Sequence, residues 1–135
     1  MGAWNCDPFG NDTACDWVYD LEETEDLSFI VETLDKIQAA GNDYLDAFEA
    51  EEAIAAADTL ARLKGKFYAR NSYTEDLDQW VAKHPMTPPK KILDSAVRAI
   101  DRILTKPSEL LELWSESGKF GEWQKHLTDL QQRLK

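Results

Sequence analysis

The residues able to bind a metal ion are few and poorly spaced for that task. The chain has two histidines, His84 and His126, and a carboxylate-bridged di-metal bundle would need a glutamate three residues before each of them. Those positions hold Val81 and Trp123 instead. Glu122 lies four residues before His126 and can share an ion with it, but two ligands fall short of a metal site. We therefore expect a surface pair, with no metal site and no cofactor.

Nucleophilic catalysis would need a cysteine or serine beside a base. Cys6 and Cys15 are the only cysteines, and nothing in the sequence brings either of them to a histidine. Two cysteines in a chain that has its own core and no secretion signal are typical of reduced thiols. The six glycines are scattered as helix ends and turns, so they form no phosphate-binding loop. The sequence predicts no catalytic residue, and we do not expect an enzyme.

One pair of carboxylates has a spacing suited to acid–base chemistry. On a regular helix running from Leu45, Glu49 and Glu52 would project into the apolar stripe, where paired acids can exchange protons. If the helix begins only near Glu49, both acids and Glu51 lie in its first turn, where the helix dipole stabilises each by about 0.3–1 kcal/mol. We favour this second interpretation, because acids are preferred at that end of a helix.

Charge divides the chain into two unlike halves. Residues 1–60 hold sixteen acids and one base, residues 61–135 hold ten acids and fourteen bases, and the whole chain carries −11. An acidic field of this kind repels nucleic acid and anionic membranes and attracts cationic partners. No apolar run approaches the roughly 20 residues that a bilayer span needs, and the start lacks a basic and apolar leader. We expect a cytoplasmic protein that binds neither nucleic acid nor membrane.

Apolar spacing predicts an all-α protein of six to seven helices, in one domain over residues 1–135. Its length and its 43% of hydrophobic residues suffice for one packed core. The segment from about Glu49 to Lys64 carries an alanine stripe that lets another helix approach closely. The helix that opens near Pro88 or Pro89 has the strongest apolar stripe, so we expect it at the centre of the fold. Ser108 is predicted to cap the helix after it.

The opening of the chain has neither a helical nor a strand period. It predicts an extended aromatic arm whose large apolar groups, Trp4 and Phe9, anchor it to the core. Asn11 or Asp12 is expected to cap the first helix, because either side chain can accept backbone N–H bonds. Trp17 lies on the apolar face of that helix. These five residues are the predicted structural anchors.

The opening stretch also resembles the N-terminal signature of a bacterial family, domain of unknown function 4259. The resemblance is carried by Met1 to Trp4, Pro8 and Phe9, Asn11 and Asp12, Ala14, and Asp16 with Trp17. The alanine-rich helix over 49–63 and the segment 110–114 are similar to that family too. The family commonly has glycines where this chain has Asn5, Cys6 and Asp7. The resemblance implies a small helical bacterial protein with no established catalytic role.

Our first functional hypothesis is a protein-binding protein, namely an immunity protein or antitoxin that blocks a cationic bacterial toxin or effector. The toxin would be a nuclease or a nucleotide-acting enzyme, whose basic cleft an acidic face can occupy. Small size, the absence of catalytic motifs and the acidic first half favour this hypothesis. The predicted partner-binding residues are Glu22, Glu23, Glu25, Asp26, Asp43, Asp46, Glu51 and Glu52.

The alternative hypothesis is an enzyme or a small-ligand-binding protein with a pocket under the N-terminal arm. Glu49, Glu52 and His84 would then supply the polar groups. This hypothesis predicts a buried carboxylate with a raised pKa beside a concave pocket. The sequence leaves the oligomeric state open under both hypotheses.

Overall fold

A computed structural model describes residues 7–68 and 70–135, and within these ranges the chain forms seven α-helices and no β-strand. The helices are α1 (Asp12–Leu21), α2 (Ser28–Ala39), α3 (Ala47–Leu63), α4 (Glu75–Lys83), α5 (Lys90–Ile103), α6 (Glu109–Ser115) and α7 (Phe120–Leu134). The predicted all-α class with six to seven helices is confirmed.

The centre of the fold is α3, which contacts each of the other six described helices. Twelve of its seventeen residues are buried, so α3 is enclosed on every side instead of burying a single stripe. Six of the twelve are alanines, whose small side chains allow neighbouring helices to approach from all directions. The expectation that α5 is central is wrong, because its apolar stripe marks a helix that is buried on one face only.

Helix α1 begins at an N-terminal cap, and one tryptophan packs it against the core. The Asn11 side chain accepts a hydrogen bond from the Ala14 N–H at 2.7 Å, which makes Asn11 the cap. Asp12 is exposed in the first turn of α1 and does not take that role. Trp17 is buried, donates its indole N–H to Thr33 of α2 at 3.0 Å and stacks on Phe29.

Of the two aromatic residues predicted to anchor the arm, Phe9 is buried, and the Arg62 guanidinium lies 5.7 Å from its ring centre. Trp4 lies outside the described residues. The arm segment 7–10 therefore meets the C-terminal half of α3, where Arg62 is also buried.

Three helices are tied together by charges that are buried beneath the surface. Asp58 of α3 is fully buried and accepts hydrogen bonds from Arg62 at 2.7 Å and from Arg133 of α7 at 2.8 Å. Arg62 also donates to Asp78 of α4 at 2.6 Å. Because each of these carboxylates meets a guanidinium, the buried charges of this network compensate one another.

The segment between α2 and α3 is extended and pairs with the start of α6. The Leu45 carbonyl accepts from the Glu109 N–H at 2.8 Å, and the Leu45 N–H donates to the Pro107 carbonyl at 3.3 Å. Ser108 is the N-cap residue of α6, as predicted, but its buried hydroxyl donates to the Ile103 carbonyl and makes no capping hydrogen bond to the helix. This pairing sets where α3 begins, at Ala47, two residues before the predicted start.

In the part of the chain that the structure describes, no helix is long and apolar enough to cross a membrane.

Candidate functional site

The eight acids predicted to bind a partner belong to two different regions of the fold. Glu22, Glu23, Glu25 and Asp26 lie in the connection between α1 and α2, and all four are exposed. The other four predicted acids surround the start of α3: Asp43, Asp46, Glu51 and Glu52. The first group lies beside α4, while the second lies beside α1 and α6.

The connection between α1 and α2 is held against α4 by a tryptophan. The Trp80 indole donates to the Thr24 carbonyl at 2.9 Å. The Asp26 carboxylate accepts hydrogen bonds from the Ser28 hydroxyl and N–H, and these bonds lower its pKa. Asp26 therefore stays ionised while it fixes the entry to α2.

Beside this connection lies a cleft of about 190 Å³, lined by Glu22, Asp76, Gln79, Trp80, Lys83 and His84. The His84 ring stacks on Trp80 at 4.7 Å, and its Nδ1 lies 2.9 Å from the Trp80 carbonyl oxygen. His84 thus shares a cleft with Glu22, whereas Glu49 and Glu52, its partners in the enzyme hypothesis, lie at the start of α3.

The approach to α3 is positioned by the side chain of Arg102 from α5. Its guanidinium donates to four backbone carbonyls, those of Gly41, Asp43, Thr105 and Pro107, at 2.7 to 3.0 Å. Its planar fork of five N–H donors suits such a cluster of acceptors. Because two of these carbonyls precede α3 and two precede α6, Arg102 holds the two helix starts side by side. The contacts with Gly41 and Asp43 could not be predicted from the sequence, because these residues lie 61 and 59 positions from Arg102.

Carboxylates occupy the N-terminal end of α3. Asp46 caps the helix by accepting from the Glu49 N–H at 2.8 Å. Glu109 of α6 accepts from the Ala47 N–H, also at 2.8 Å. Both acids therefore satisfy N–H groups that have no partner within the helix, and the dipole favours their negative charge.

A single acidic surface joins α1 to the first turns of α3. Glu52 is half-buried, and burial is the main cause that raises its pKa. The charge of Lys36 lowers that pKa, and the charges of Asp20, Glu49 and Asp46 raise it. These acids consequently lie within electrostatic range of one another. Asp12, Asp16 and Asp20 recur every four residues on α1, and all three are exposed. We call this surface the acidic patch; it consists of Asp12, Asp16, Asp20, Asp46, Glu49 and Glu52.

Glu51 differs from the other predicted partner-binding acids in its burial. Only 8% of the residue is exposed, whereas Asp43 and Asp46 are exposed and Glu52 is half-buried. Burial raises its pKa to about 7; the positive charge of the chain's α-amino group lowers the pKa, and the charges of Asp12 and Glu109 raise it. The burial follows from the approach of α6 to the start of α3, which the sequence pattern of α3 does not reveal.

Exposed aromatic side chains accompany the acids. Phe48 is 60% exposed one turn before Glu52, and Tyr19 is exposed next to Asp20. Tyr44 is exposed and donates its hydroxyl to Glu112 at 2.6 Å, a bond that raises the tyrosine pKa to about 12. These residues were not among the predicted binding residues. For Tyr19 and Phe48, the available signal was an aromatic side chain placed off the apolar face of its helix.

The groups that could do covalent or metal chemistry remain apart. Cys15 is a half-buried free thiol whose pKa is raised by burial and by the charges of Asp12 and Asp16, while Cys6 lies outside the described residues. The Nδ1 atom of His126 lies 3.7 Å from the Asp7 carboxylate. Among residues 7–68 and 70–135, no three His, Cys, Asp or Glu side chains are grouped so that they could hold a metal ion.

A small cavity lies under the arm segment 7–10, bounded by Arg62, Tyr68 and the 71–74 turn. Its volume is about 10 Å³, which is room for at most one water molecule. Neither Glu49, Glu52 nor His84 lines this cavity.

These features define a helical protein whose candidate site is an acidic and aromatic surface around the start of α3. The family model for domain of unknown function 4259 matches residues 2–126. The chain therefore belongs to that family, as its opening residues indicated. Among curated proteins and among solved structures, none matches the chain.

Proposed function

We propose that this chain is a cytosolic immunity protein or antitoxin that neutralises a cationic bacterial toxin or secreted effector by binding it directly. The acidic patch is the proposed contact surface, and a nuclease or nucleotide-acting toxin offers the basic cleft that it would fill. One observation carries the proposal: acids from two helices share a surface on which an aromatic side chain, Phe48, is exposed.

Three arginines from the second half of the chain make their contacts away from the acidic patch. Arg62 and Arg133 pair with the buried Asp58, and Arg102 donates to backbone carbonyls. None of these contacts involves an acid of the patch. Lys36 of α2 is the base whose charge acts on Glu52 of the patch. A basic partner can therefore find net negative charge on this side of the protein.

Charge and aromatic surface contribute to binding in different ways. Acids on the rim of an interface mainly raise the association rate of a basic partner, and salt screens that effect. Exposed aromatic side chains such as Phe48 and Tyr19 contribute buried area, which slows dissociation. The combination favours a specific protein partner over simple solvation of helix faces.

The test is a pull-down with the products of neighbouring genes, followed by binding kinetics at rising salt. We expect a basic partner whose association rate falls as NaCl rises from 50 to 500 mM, because the Debye length shrinks over that range. No partner at low salt, or an association rate that ignores salt, would contradict the proposal.

Matched charge reversals locate the contact surface. Asp16→Lys with Asp20→Lys changes the acidic patch, and Glu22→Lys with Glu23→Lys changes the connection between α1 and α2. Glu116→Lys with Glu122→Lys makes the same change of charge on two exposed residues, one directly after α6 and one in α7. We expect the first pair to slow association about tenfold at low salt and the third pair to have little effect. Equal effects of all three pairs would mean that only net charge matters.

A second candidate function is small-ligand binding or catalysis, and the raised pKa values of Glu51 and Glu52 favour it. Both acids belong to the start of α3, so the ligand would bind there. Screening metabolites by the change in the thermal unfolding midpoint tests this candidate; a stabilising compound whose effect Glu51→Gln abolishes would support it.

A further inference from the structure

The cleft of about 190 Å³ beside α4 has two walls that are fixed relative to each other. One wall is Glu22, directly after α1, and the other is α4 together with its C-cap residue. The Trp80 indole N–H donates to the Thr24 carbonyl at 2.9 Å, which holds the connection between α1 and α2 against α4. The residues of the α4 wall are Asp76, Gln79, Trp80, Lys83 and His84.

The ring of His84 is held in one orientation at the C-terminal end of α4. Its Nδ1 atom lies 2.9 Å from the Trp80 carbonyl oxygen, which also accepts the His84 backbone N–H at 3.0 Å. The ring stacks on the Trp80 indole, with 4.7 Å between the ring centroids. Because a carbonyl oxygen can only accept, Nδ1 carries the proton of the neutral ring, and Nε2 is left as an acceptor. No residue of the described chain donates to Nε2.

The charged groups of the cleft have opposite signs and do not pair with one another. Glu22 and Asp76 are exposed acids, and Lys83 is an exposed base. Among residues 7–68 and 70–135, none of these three side chains takes part in an ion pair or a hydrogen bond. The cleft therefore presents both signs of charge, and the fold itself uses neither.

We propose that this cleft binds a small zwitterion of the size of a free amino acid, with one ammonium and one carboxylate group. The ammonium of the ligand donates to the carboxylates of Glu22 and Asp76 and to Nε2 of His84. The carboxylate of the ligand accepts from the Lys83 ammonium and the Gln79 amide.

The volume of the cleft limits the size of the ligand. A water molecule occupies about 30 Å³ of the liquid, so the cleft corresponds to about six water molecules. Covalently bonded atoms pack more closely than water, which allows a ligand of roughly six to ten non-hydrogen atoms. Pockets for drug-sized molecules begin at about 300 Å³, so the cleft is too small for those.

A zwitterion fits these groups better than a metal ion or a singly charged molecule. In the part of the chain that the structure describes, no three potential ligands are grouped so that they could hold a metal ion. A simple amine meets the like charge of Lys83, and a simple carboxylate meets those of Glu22 and Asp76. Each end of a zwitterion can instead lie beside a charge of the opposite sign.

This inference does not rest on the proposed function, because the cleft shares no residue with the acidic patch. Absence of zwitterion binding would leave the salt-dependent association with a basic partner intact. The reversal of Asp16 and Asp20 measures that association separately.

The experiment uses L-alanine and 4-aminobutyrate as probes of the full chain at low salt. Each zwitterion is compared with two analogues that keep one of its charges: ethylammonium and propionate for L-alanine, n-propylammonium and butyrate for 4-aminobutyrate. The amide resonances of Gln79, Lys83 and His84 are followed by ¹H–¹⁵N NMR during each titration. We expect at least one zwitterion to bind about tenfold more tightly than both of its analogues. The proposal is overturned if neither zwitterion shifts these resonances, or if the analogues bind as tightly.

Charge-removing variants locate the two ends of the ligand. Glu22→Gln and Lys83→Met nearly keep the size of the side chain, and each should weaken zwitterion binding about tenfold. Glu23→Gln and Lys91→Met make the same changes on exposed residues that do not line the cleft, and should leave the affinity unchanged. Equal weakening in all four variants would reduce the effect to net charge and contradict the site.

The ring nitrogens of His84 give a readout that does not depend on net charge. At a pH where the ring is neutral, long-range ¹H–¹⁵N NMR of the free protein should show a proton on Nδ1 and none on Nε2. The zwitterion should move the Nε2 resonance toward the position of a protonated nitrogen, because that atom then accepts a hydrogen bond. A neutral ring that carries its proton on Nε2 would remove the acceptor and overturn the assignment.

Discussion

Two buried carboxylates lie seven residues apart on α3 and meet opposite surroundings. Asp58 is completely buried and is bonded by Arg62 and Arg133. Glu51 is almost as deeply buried, yet its Oε2 atom has no partner in the described chain and its charged neighbours on α1 and α6 are acids. Asp58 is thus a buried carboxylate whose charge the fold compensates, whereas Glu51 is one whose ionisation burial opposes.

The difference arises from which elements each end of α3 meets. The Asp58 end faces α4 and α7, which bring Asp78 and Arg133 to it. The Glu51 end faces α1 and α6, whose nearby charged groups are carboxylates. At one end of the central helix the buried charges are therefore compensated, while at the other end ionisation of the buried carboxylate carries an energetic cost.

The largest effect should come from removing Asp58. Asp58→Ala removes the buried ion pair with Arg62 at 2.7 Å and leaves Arg133 without its buried partner. We expect a loss of about 3–5 kcal/mol in the free energy of unfolding, measured by urea denaturation, because an unpaired buried charge is costly. Asp94→Ala breaks the exposed pair with Lys90 and should cost less than about 1 kcal/mol. Equal losses in the two variants would show that burial of the Asp58 network contributes nothing.

Removing the charge of Glu51 should change the free energy of unfolding by less than the loss of Asp58, and above neutral pH it should increase that free energy. Its folded pKa is about 7 against an ordinary value of 4.5, so between these values the folded state retains a proton that the unfolded state has released. Stability should fall as pH rises through that window, and Glu51→Gln should remove the fall. At pH 8 we expect the variant to be about 1–3 kcal/mol more stable than the parent, and at pH 4.5 to match it.

Urea denaturation at several pH values measures this difference. Glu23→Gln is the control, since it neutralises an exposed acid without removing a buried charge. If the stability of the parent and of Glu51→Gln varies in the same way with pH, Glu51 is not the strained group that the comparison requires.

The smallest of the three effects concerns the support of the Glu51 end. Arg102→Lys cannot reproduce bonds to four carbonyls and should cost about 1 kcal/mol. The amides of Leu45 and Glu109, which join the two helix starts, should exchange faster with solvent. As α6 moves away from α3, the pKa of Glu51 should move down toward its ordinary value. Arg98→Lys, at an exposed position of α5, should change none of these quantities.

Much of the fold could be predicted from local patterns in the sequence. The cap at Asn11, the apolar face of α1 with Trp17 and the all-α class follow from spacing and from residue type. The central position of α3 could not be read in the same way. Periodicity identifies a helix with one buried face, and a helix surrounded on all sides has a weaker stripe than α5.

The candidate site was predicted less well, because it depends on contacts between distant segments. The four-residue spacing of Asp58 and Arg62 is visible along the chain. Arg133, which also donates to Asp58, lies 75 residues after it. Likewise, the burial of Glu51 depends on α6 and on the Arg102 contacts. The predicted acids between 43 and 52 lie close together along the sequence, yet only the folded chain distinguishes an exposed acid such as Asp46 from the buried Glu51.

The enclosure of α3 has a consequence for how the protein opens. No neighbouring helix can detach without uncovering part of α3, so the amides at its middle, around Ala56, should exchange with solvent only when the whole protein unfolds. Its two ends therefore share one cooperative unit. A ligand held at the first turns of α3 would slow the unfolding of the entire molecule, including the helices that it never touches.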